Sequence, residues 1–237
     1  MTFLRAIVYN LGFYLGTVVL AILGLPVLLM SRQAAAGYSR FWTRLSFCWL
    51  KLTVGLDYEV RGRENLPDGP YLAAIKHQSA WDTLALNQIF VDPAVVLKKE
   101  LLSIPFFGWY LRKVGMIAVD RNQGASALRG MIAAAKQAKI AGRPVVIFPE
   151  GTRGPVGERL PYQPGVVALY QQLGVPLVPV ALDSGIYWGR RAFLKRPGRI
   201  VVEILPPIPA GEDRKTILPR LEAMIEDTVA RLVAAAR

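Results

Sequence analysis

The chain has 237 residues, enough for one sizeable α/β domain with an appended segment and too few for two full enzymes. Apolar residues make up 53 % and mean hydropathy is +0.32, with the excess gathered in the first fifty residues, which points to an attached membrane element rather than an unusually apolar core. A net charge of +12 calls for a polyanion, but zinc-ligand spacing, an RNA-recognition aromatic motif and a long basic run are all missing, so an anionic membrane surface is the expected partner and nucleic acid is not.

The first element is an uncharged run over 6–30, long enough to span a bilayer as a helix. Gly24 and Pro26 can bend it into a re-entrant hairpin, and Arg5, Arg32 and Arg40 flank it on both sides. It is long for a signal peptide and no convincing small-residue cleavage site follows. Over 40–56 the pattern becomes amphipathic. Phe41, Leu45, Cys48, Trp49, Leu52 and Leu56 share one face, with Arg40, Arg44 and Lys51 on another. Such a helix fits the headgroup layer; the same pattern also fits a helix packed on a domain core. Cys48 is the single cysteine, so an intramolecular disulfide and a cysteine-based metal site are excluded, and a cytoplasm-facing location fits. Residues 1–56 are therefore read as membrane-associating helices and 57–237 as the α/β domain.

Strands are expected at 58–60, 71–75, 94–97, 116–119, 144–148, 177–181 and 200–204, and helices at 80–90, 106–114, 125–140, 166–173 and 213–236. This alternation predicts an α/β fold, a mixed and largely buried sheet flanked by helices. The stretch 190–199, RRAFLKRPGR, reads either as a solvated basic loop or as a second contact with anionic lipid.

The chemistry concentrates at strand ends. Lys76-His77-Gln78-Ser79-Ala80-Trp81-Asp82 carries the only histidine, directly after a predicted strand and before a helix. Histidine suits general-base work near neutral pH, and Asp82 can orient it and stabilise the imidazolium. Ser79 and Asp82 also form a helix capping box, which by itself accounts for Asp82. A G-x-S-x-G elbow is missing, so the nucleophile is expected on the substrate. Phe148-Pro149-Glu150-Gly151-Thr152-Arg153 is a strand ending in a turn whose N–H groups and arginine suit a phosphate, or an ordinary turn with a surface arginine. Gly115-Met116-Ile117-Ala118-Val119-Asp120-Arg121 delivers a second arginine, with Asp120 placed to orient it. Val175-Pro176-Leu177-Val178-Pro179-Val180 reads as structural, with one wall of an acyl site as its functional option.

These four blocks, in this order, resemble the glycerolipid acyltransferase family over about residues 57–205. The resemblance, closest to the branch acting on 1-acyl-sn-glycerol 3-phosphate, implies acyl transfer to the sn-2 hydroxyl of lysophosphatidic acid, giving phosphatidic acid for phospholipid synthesis. It implies His77 as base and Asp82 as its orienting partner, with Arg121, Glu150, Gly151, Thr152 and Arg153 around the phosphate. No metal or cofactor is implied. The donor would be acyl-CoA or acyl carrier protein, the latter suited to a basic protein. The location would be the cytoplasmic face of a bacterial inner membrane. Lys76 stands where the family often has asparagine, and Tyr162-Gln163-Pro164-Gly165 lacks the family's lysine before glycine. A cation near the phosphate is thus lost at one point, with Lys76 as its expected replacement. A related acceptor, such as a lyso-ornithine lipid or glycerol 3-phosphate, or a non-catalytic lipid-binding role, stays open.

Overall fold

A computed structural model describes residues 2–236. The amino-terminal run is two elements rather than one span. Helix α1 (Thr2–Leu23) stops at Gly24, a short 3-10 turn covers Leu25–Leu29, and α2 (Arg32–Val54) returns antiparallel along α1. Tertiary contacts set the bend. A side chain at Gly24 would collide with the Tyr38 ring at 2.3 Å, so the helices touch where only glycine fits. Tyr38 donates to the Leu20 carbonyl at 2.6 Å and Trp49 Nε1 to that of Tyr9 at 3.2 Å, locking the pair at both ends.

The expected apolar face of α2 is largely the outward one: Phe41, Leu45, Cys48 and Leu52 are exposed. A second face, with Thr43, Ser46, Phe47, Leu50 and Val54, is buried against the sheet layer. The core-packing reading therefore applies to this second face, while the apolar face marked by the pattern stays largely uncovered. The helix ends two residues earlier than its pattern suggests, because Gly55 adopts φ +78 and donates to the Lys51 carbonyl. Leu56 instead opens β1.

The seven expected strands all form: β1 (Leu56–Arg61), β2 (Leu72–Ile75), β3 (Ala94–Lys98), β4 (Ile117–Val119), β5 (Val145–Ile147), β6 (Leu177–Leu182) and β7 (Gly198–Ile204). They make one sheet of order β1-β7-β6-β2-β5-β3-β4, parallel throughout except where β7 runs against β6. Between them lie α3 (Ala80–Ile89), α4 (Phe107–Lys113), α5 (Gly124–Ile140), α6 (Gly165–Leu173) and the short α7 (Ser184–Tyr187); α8 (Arg214–Ala235) follows β7. The α7 turn has too few residues to show a helical period.

Along β2 the pleat sends Leu72 and Ala74 to one core and Ala73 and Ile75 to the other. Helices α5, α6 and α8 cover the first face; α2 and α3 cover the second. Both faces of β2 are buried, which is why it reads as an uninterrupted apolar run. The carboxyl ends of β2, β3, β4, β5 and β6 share one edge, so the loops after them meet there.

Candidate active site

Strand β2 is the middle strand, and its last residue leads straight into Lys76 and His77. The His77 peptide is clamped on both sides. Its N–H donates to Glu150 Oε2 at 2.8 Å, and its carbonyl accepts from Gly154 N at 2.9 Å. The imidazole stacks on Phe148 with centroids 3.9 Å apart, and its side chain is 13 % exposed. Nδ1 lies 3.0 Å from Asp82 Oδ2. Among the described residues, Nε2 has no partner.

Asp82 is fully buried. Its Oδ2 also accepts from the backbone N–H of Gln78 at 2.7 Å and Ser79 at 2.8 Å, while Oδ1 accepts from Ser184 Oγ at 2.5 Å. Ser79 accepts from Trp81 N, completing the capping box of α3. The cap and the histidine contact are therefore one arrangement, not alternatives. A carboxylate taking these donors keeps Nδ1 as the protonated nitrogen and leaves Nε2 free to accept a proton.

Behind the histidine lies a buried charge cluster. Lys76 Nζ, 1 % exposed, sits 2.7 Å from Glu150 Oε1 and 2.7 Å from Glu226 Oε1, and Tyr162 donates to Glu226 at 3.0 Å. Burial pushes the Glu150 carboxyl above its usual range, with Lys76 pulling the other way. The cluster bears on two expectations. Glu150, expected beside the phosphate, turns its side chain inward: it is 3 % exposed and its oxygens are engaged by Lys76 and by the His77 N–H. Lys76 does not replace a missing cation, because its ammonium is consumed by two carboxylates beneath the site.

The arginines are placed differently. Gly151, at φ +67, brings the β5 turn back so that a Cβ there would lie 3.7 Å from Arg121 Nη2, delivered by β4. Arg153 follows in the same turn and is half-buried; Thr152 is exposed. Among the described residues, neither guanidinium is hydrogen-bonded or ion-paired. Asp120, expected to orient Arg121, accepts from Gln123 Nε2 at 3.0 Å and from Lys99 Nζ at 3.4 Å. Arg121, Gly151, Thr152 and Arg153 can together present charge and donors to an anion.

An apolar cavity of about 120 Å³ opens between the α1–α2 hairpin, α3 and α4, lined by Leu20 of α1, Trp42 of α2, Leu84 of α3, Val95 of β3, and Phe107 and Leu111 of α4. The Val175–Val180 block lies elsewhere: most of its side chains fill the two cores around β6, and none lines this cavity. Two contributors escaped sequence reasoning. Ser184 had no signal beyond following a strand. Glu226 had one, since it falls among the buried positions Ile217, Leu221, Ile225, Val229 and Leu232 of α8, where a lone carboxylate needs a partner.

Comparison with known proteins bears on this geometry. A family model described as acyltransferase matches residues 57–183, more than half of the chain. This chain belongs to the acyltransferase family. The family shows it to be an enzyme, an O-acyltransferase. A 1-acyl-sn-glycerol-3-phosphate acyltransferase of Pseudomonas aeruginosa is 40 % identical over 195 residues, covering 81 % of this chain and 76 % of that protein. The 1-acyl-sn-glycerol-3-phosphate acyltransferase alpha of Mus musculus is 31 % identical, covering 84 % of this chain and 71 % of its own. The crystal structure of the 1-acyl-sn-glycerophosphate (LPA) acyltransferase PlsC from Thermotoga maritima superposes with a TM-score of 0.83 at 25 % identity, over 99 % of this chain and 98 % of that one. The amino-terminal helices thus belong to the shared fold.

Proposed function

We propose that this acyltransferase moves a fatty acyl group from a thioester donor, acyl-CoA or acyl carrier protein, to the sn-2 hydroxyl of 1-acyl-sn-glycerol 3-phosphate. His77 Nε2 takes the hydroxyl proton as the alkoxide oxygen attacks the thioester carbonyl. Asp82 holds the imidazole and stabilises the imidazolium. The proton then passes to the departing thiolate as the carbonyl reforms, leaving phosphatidic acid, the free thiol and neutral His77. The acceptor phosphate sits against Arg121, Gly151, Thr152 and Arg153. The reading is carried by one observation: a histidine oriented through Nδ1, with Nε2 free among the described residues, at the same sheet edge as two guanidinium groups that have no partner among them.

The membrane part of the reading rests on α1. Phe3–Leu23 is the one helix among the described residues long and apolar enough to cross a bilayer, with mean hydropathy 2.0 and 11 % of it buried. Because α2 returns along it with exposed arginines on one side and core contacts on another, we read residues 1–56 as a hairpin anchoring the α/β unit at the cytoplasmic face, not a crossing. The cavity between hairpin and α3 is the place we assign to an acyl chain; Leu84→Trp should shift the preferred donor toward shorter chains, and an unaltered chain profile would remove that assignment.

Purified protein with labelled acyl donor and a panel of lyso-acceptors tests the function. Transfer to 1-acyl-sn-glycerol 3-phosphate is expected. Transfer only to a phosphate-free acceptor would replace it with the related activity on another lyso-lipid.

A further inference from the structure

The segment between α7 and β7 carries Arg190, Arg191 and Arg196, all exposed and without ion-pair partners among the described residues. Between them stand Phe193, 47 % exposed, and Leu194, 49 % exposed. Apolar tips ringed by arginine mark a surface that meets something both greasy and anionic.

This segment is fastened to α1. The Phe193 ring lies 5.8 Å from that of Phe3, and the Phe193 carbonyl accepts from Asn10 Nδ2 at 3.3 Å. The main fastening is Lys195. Its side chain is buried without a carboxylate partner among the described residues. The ammonium donates to Asn10 Oδ1 at 2.8 Å and to the Phe193 carbonyl at 3.0 Å. Aromatic rings surround it, with Trp188 at 4.7 Å, Tyr9 at 5.1 Å and Phe193 at 5.9 Å. Ring quadrupoles compensate part of the lost hydration. Burial still draws the ammonium down to about 8, so it remains mostly charged at neutral pH. A lysine kept in such a cage holds the loop against the helix; a loop that needed only to be solvated would leave it in water.

The consequence is a continuous apolar surface. Phe3, Leu4, Ile7, Val8 and Leu11 are exposed on α1, and Phe193 and Leu194 extend that surface sideways onto the α/β unit. We infer that the 189–196 loop is a second membrane-inserting element, in which Phe193 and Leu194 enter the apolar layer while Arg190, Arg191 and Arg196 bind anionic headgroups. The inference rests on the reading that the α1–α2 hairpin lies in a bilayer. It adds a second point of attachment, which fixes the rotation of the enzyme about the hairpin and hence how the strand-end site faces the surface.

A local probe separates the two readings. In a Cys48→Ser background, Leu194→Cys or Leu11→Cys is labelled with an environment-sensitive fluorophore and titrated with vesicles of phosphatidylglycerol and phosphatidylcholine, or of phosphatidylcholine alone. Both labels should shift to the blue and be quenched by brominated acyl chains. A shift at 11 without one at 194 overturns the loop inference and leaves the hairpin reading intact; no shift at either position overturns both. Replacing Arg190, Arg191 and Arg196 with glutamine should raise the anionic vesicle concentration for half-maximal signal at 194 about tenfold, and leave the neutral titration unchanged. An equal change on both vesicle types, or none on either, removes the headgroup contact.

Discussion

The two halves of the strand-end site are built on opposite principles. At the end of β2 the His77 backbone N–H and carbonyl, its Nδ1 and both oxygens of Asp82 all have partners, and the supporting layer reaches down through Glu150 and Lys76 to α8. At the ends of β4 and β5, Arg121 and Arg153 have guanidinium groups with no partner among the described residues. A proton transfer needs atoms held within a few tenths of an ångström, which only a wired, buried frame supplies. An anion held by charge and several donors tolerates more play. Where the arrangement is rigid, disruption should strike kcat; where it is open, disruption should strike acceptor affinity.

The largest effect is expected at the rigid half. His77→Ala should lower acyl transfer by roughly 10³-fold or more, since a positioned base contributes about 10²–10⁴, with vesicle binding retained. Residual turnover near the native rate would remove His77 from the chemistry. Next comes the frame beneath it. Glu226→Leu leaves the Lys76 ammonium short of one buried partner and should cost about 3 kcal/mol in urea unfolding, near the lower end for a broken buried pair. It should also reduce kcat while leaving acceptor KM alone. Adding Lys76→Met should cost less than the two single losses combined. Strict additivity would mean that the groups do not act as one cluster.

At the open half, Arg153→Ala should raise the acceptor KM about tenfold with kcat little changed, as loss of ground-state binding does. The same variant on a phosphate-free lyso-acceptor should behave like the parent. An identical change on both acceptors would contradict a phosphate contact.

The smallest effect concerns Asp183, beside Ser184. Burial raises its carboxyl from 3.8 to about 6, even though Oδ1 accepts from Val201 N at 2.8 Å. Folding therefore favours the protonated form, and that contribution is present below pH 3.8 and lost as pH rises through about 6. Asp183→Asn keeps an acceptor and carries no charge. It should raise Tm by a few degrees at pH 7.5 and leave it unchanged near pH 3.5. A gain of equal size at both pH values would exclude ionisation as the cause.

Some of this was legible in the chain alone. Apolar runs buried on both faces identified β2, β5 and β6, because a central parallel strand has no polar side to show. His77 and Asp82 were legible because they lie five residues apart across one junction from strand to helix, where local spacing implies contact. The inward direction of Glu150 was not legible, because a motif names residues without saying which way they point. Its turn does meet the anion-suited loop, but its side chain faces the core. The block at 175–180 was read as structural, and its side chains do fill the cores on the two faces of β6.

The sequence by itself determined the order of strands and helices, the hairpin's apolar run and the pair at the end of β2, because period, punctuation and short separation are local properties. Only the tertiary structure decided the partners that lie far apart in the chain: Ser184 on Asp82, Glu226 under Lys76, Arg121 against Gly151, and Lys195 against Tyr9 and Asn10 of α1. The physical reason is that a side chain's direction and burial depend on what the sheet order brings beside it. Strands β2 and β5, some seventy residues apart in the chain, are neighbours only once the sheet has closed.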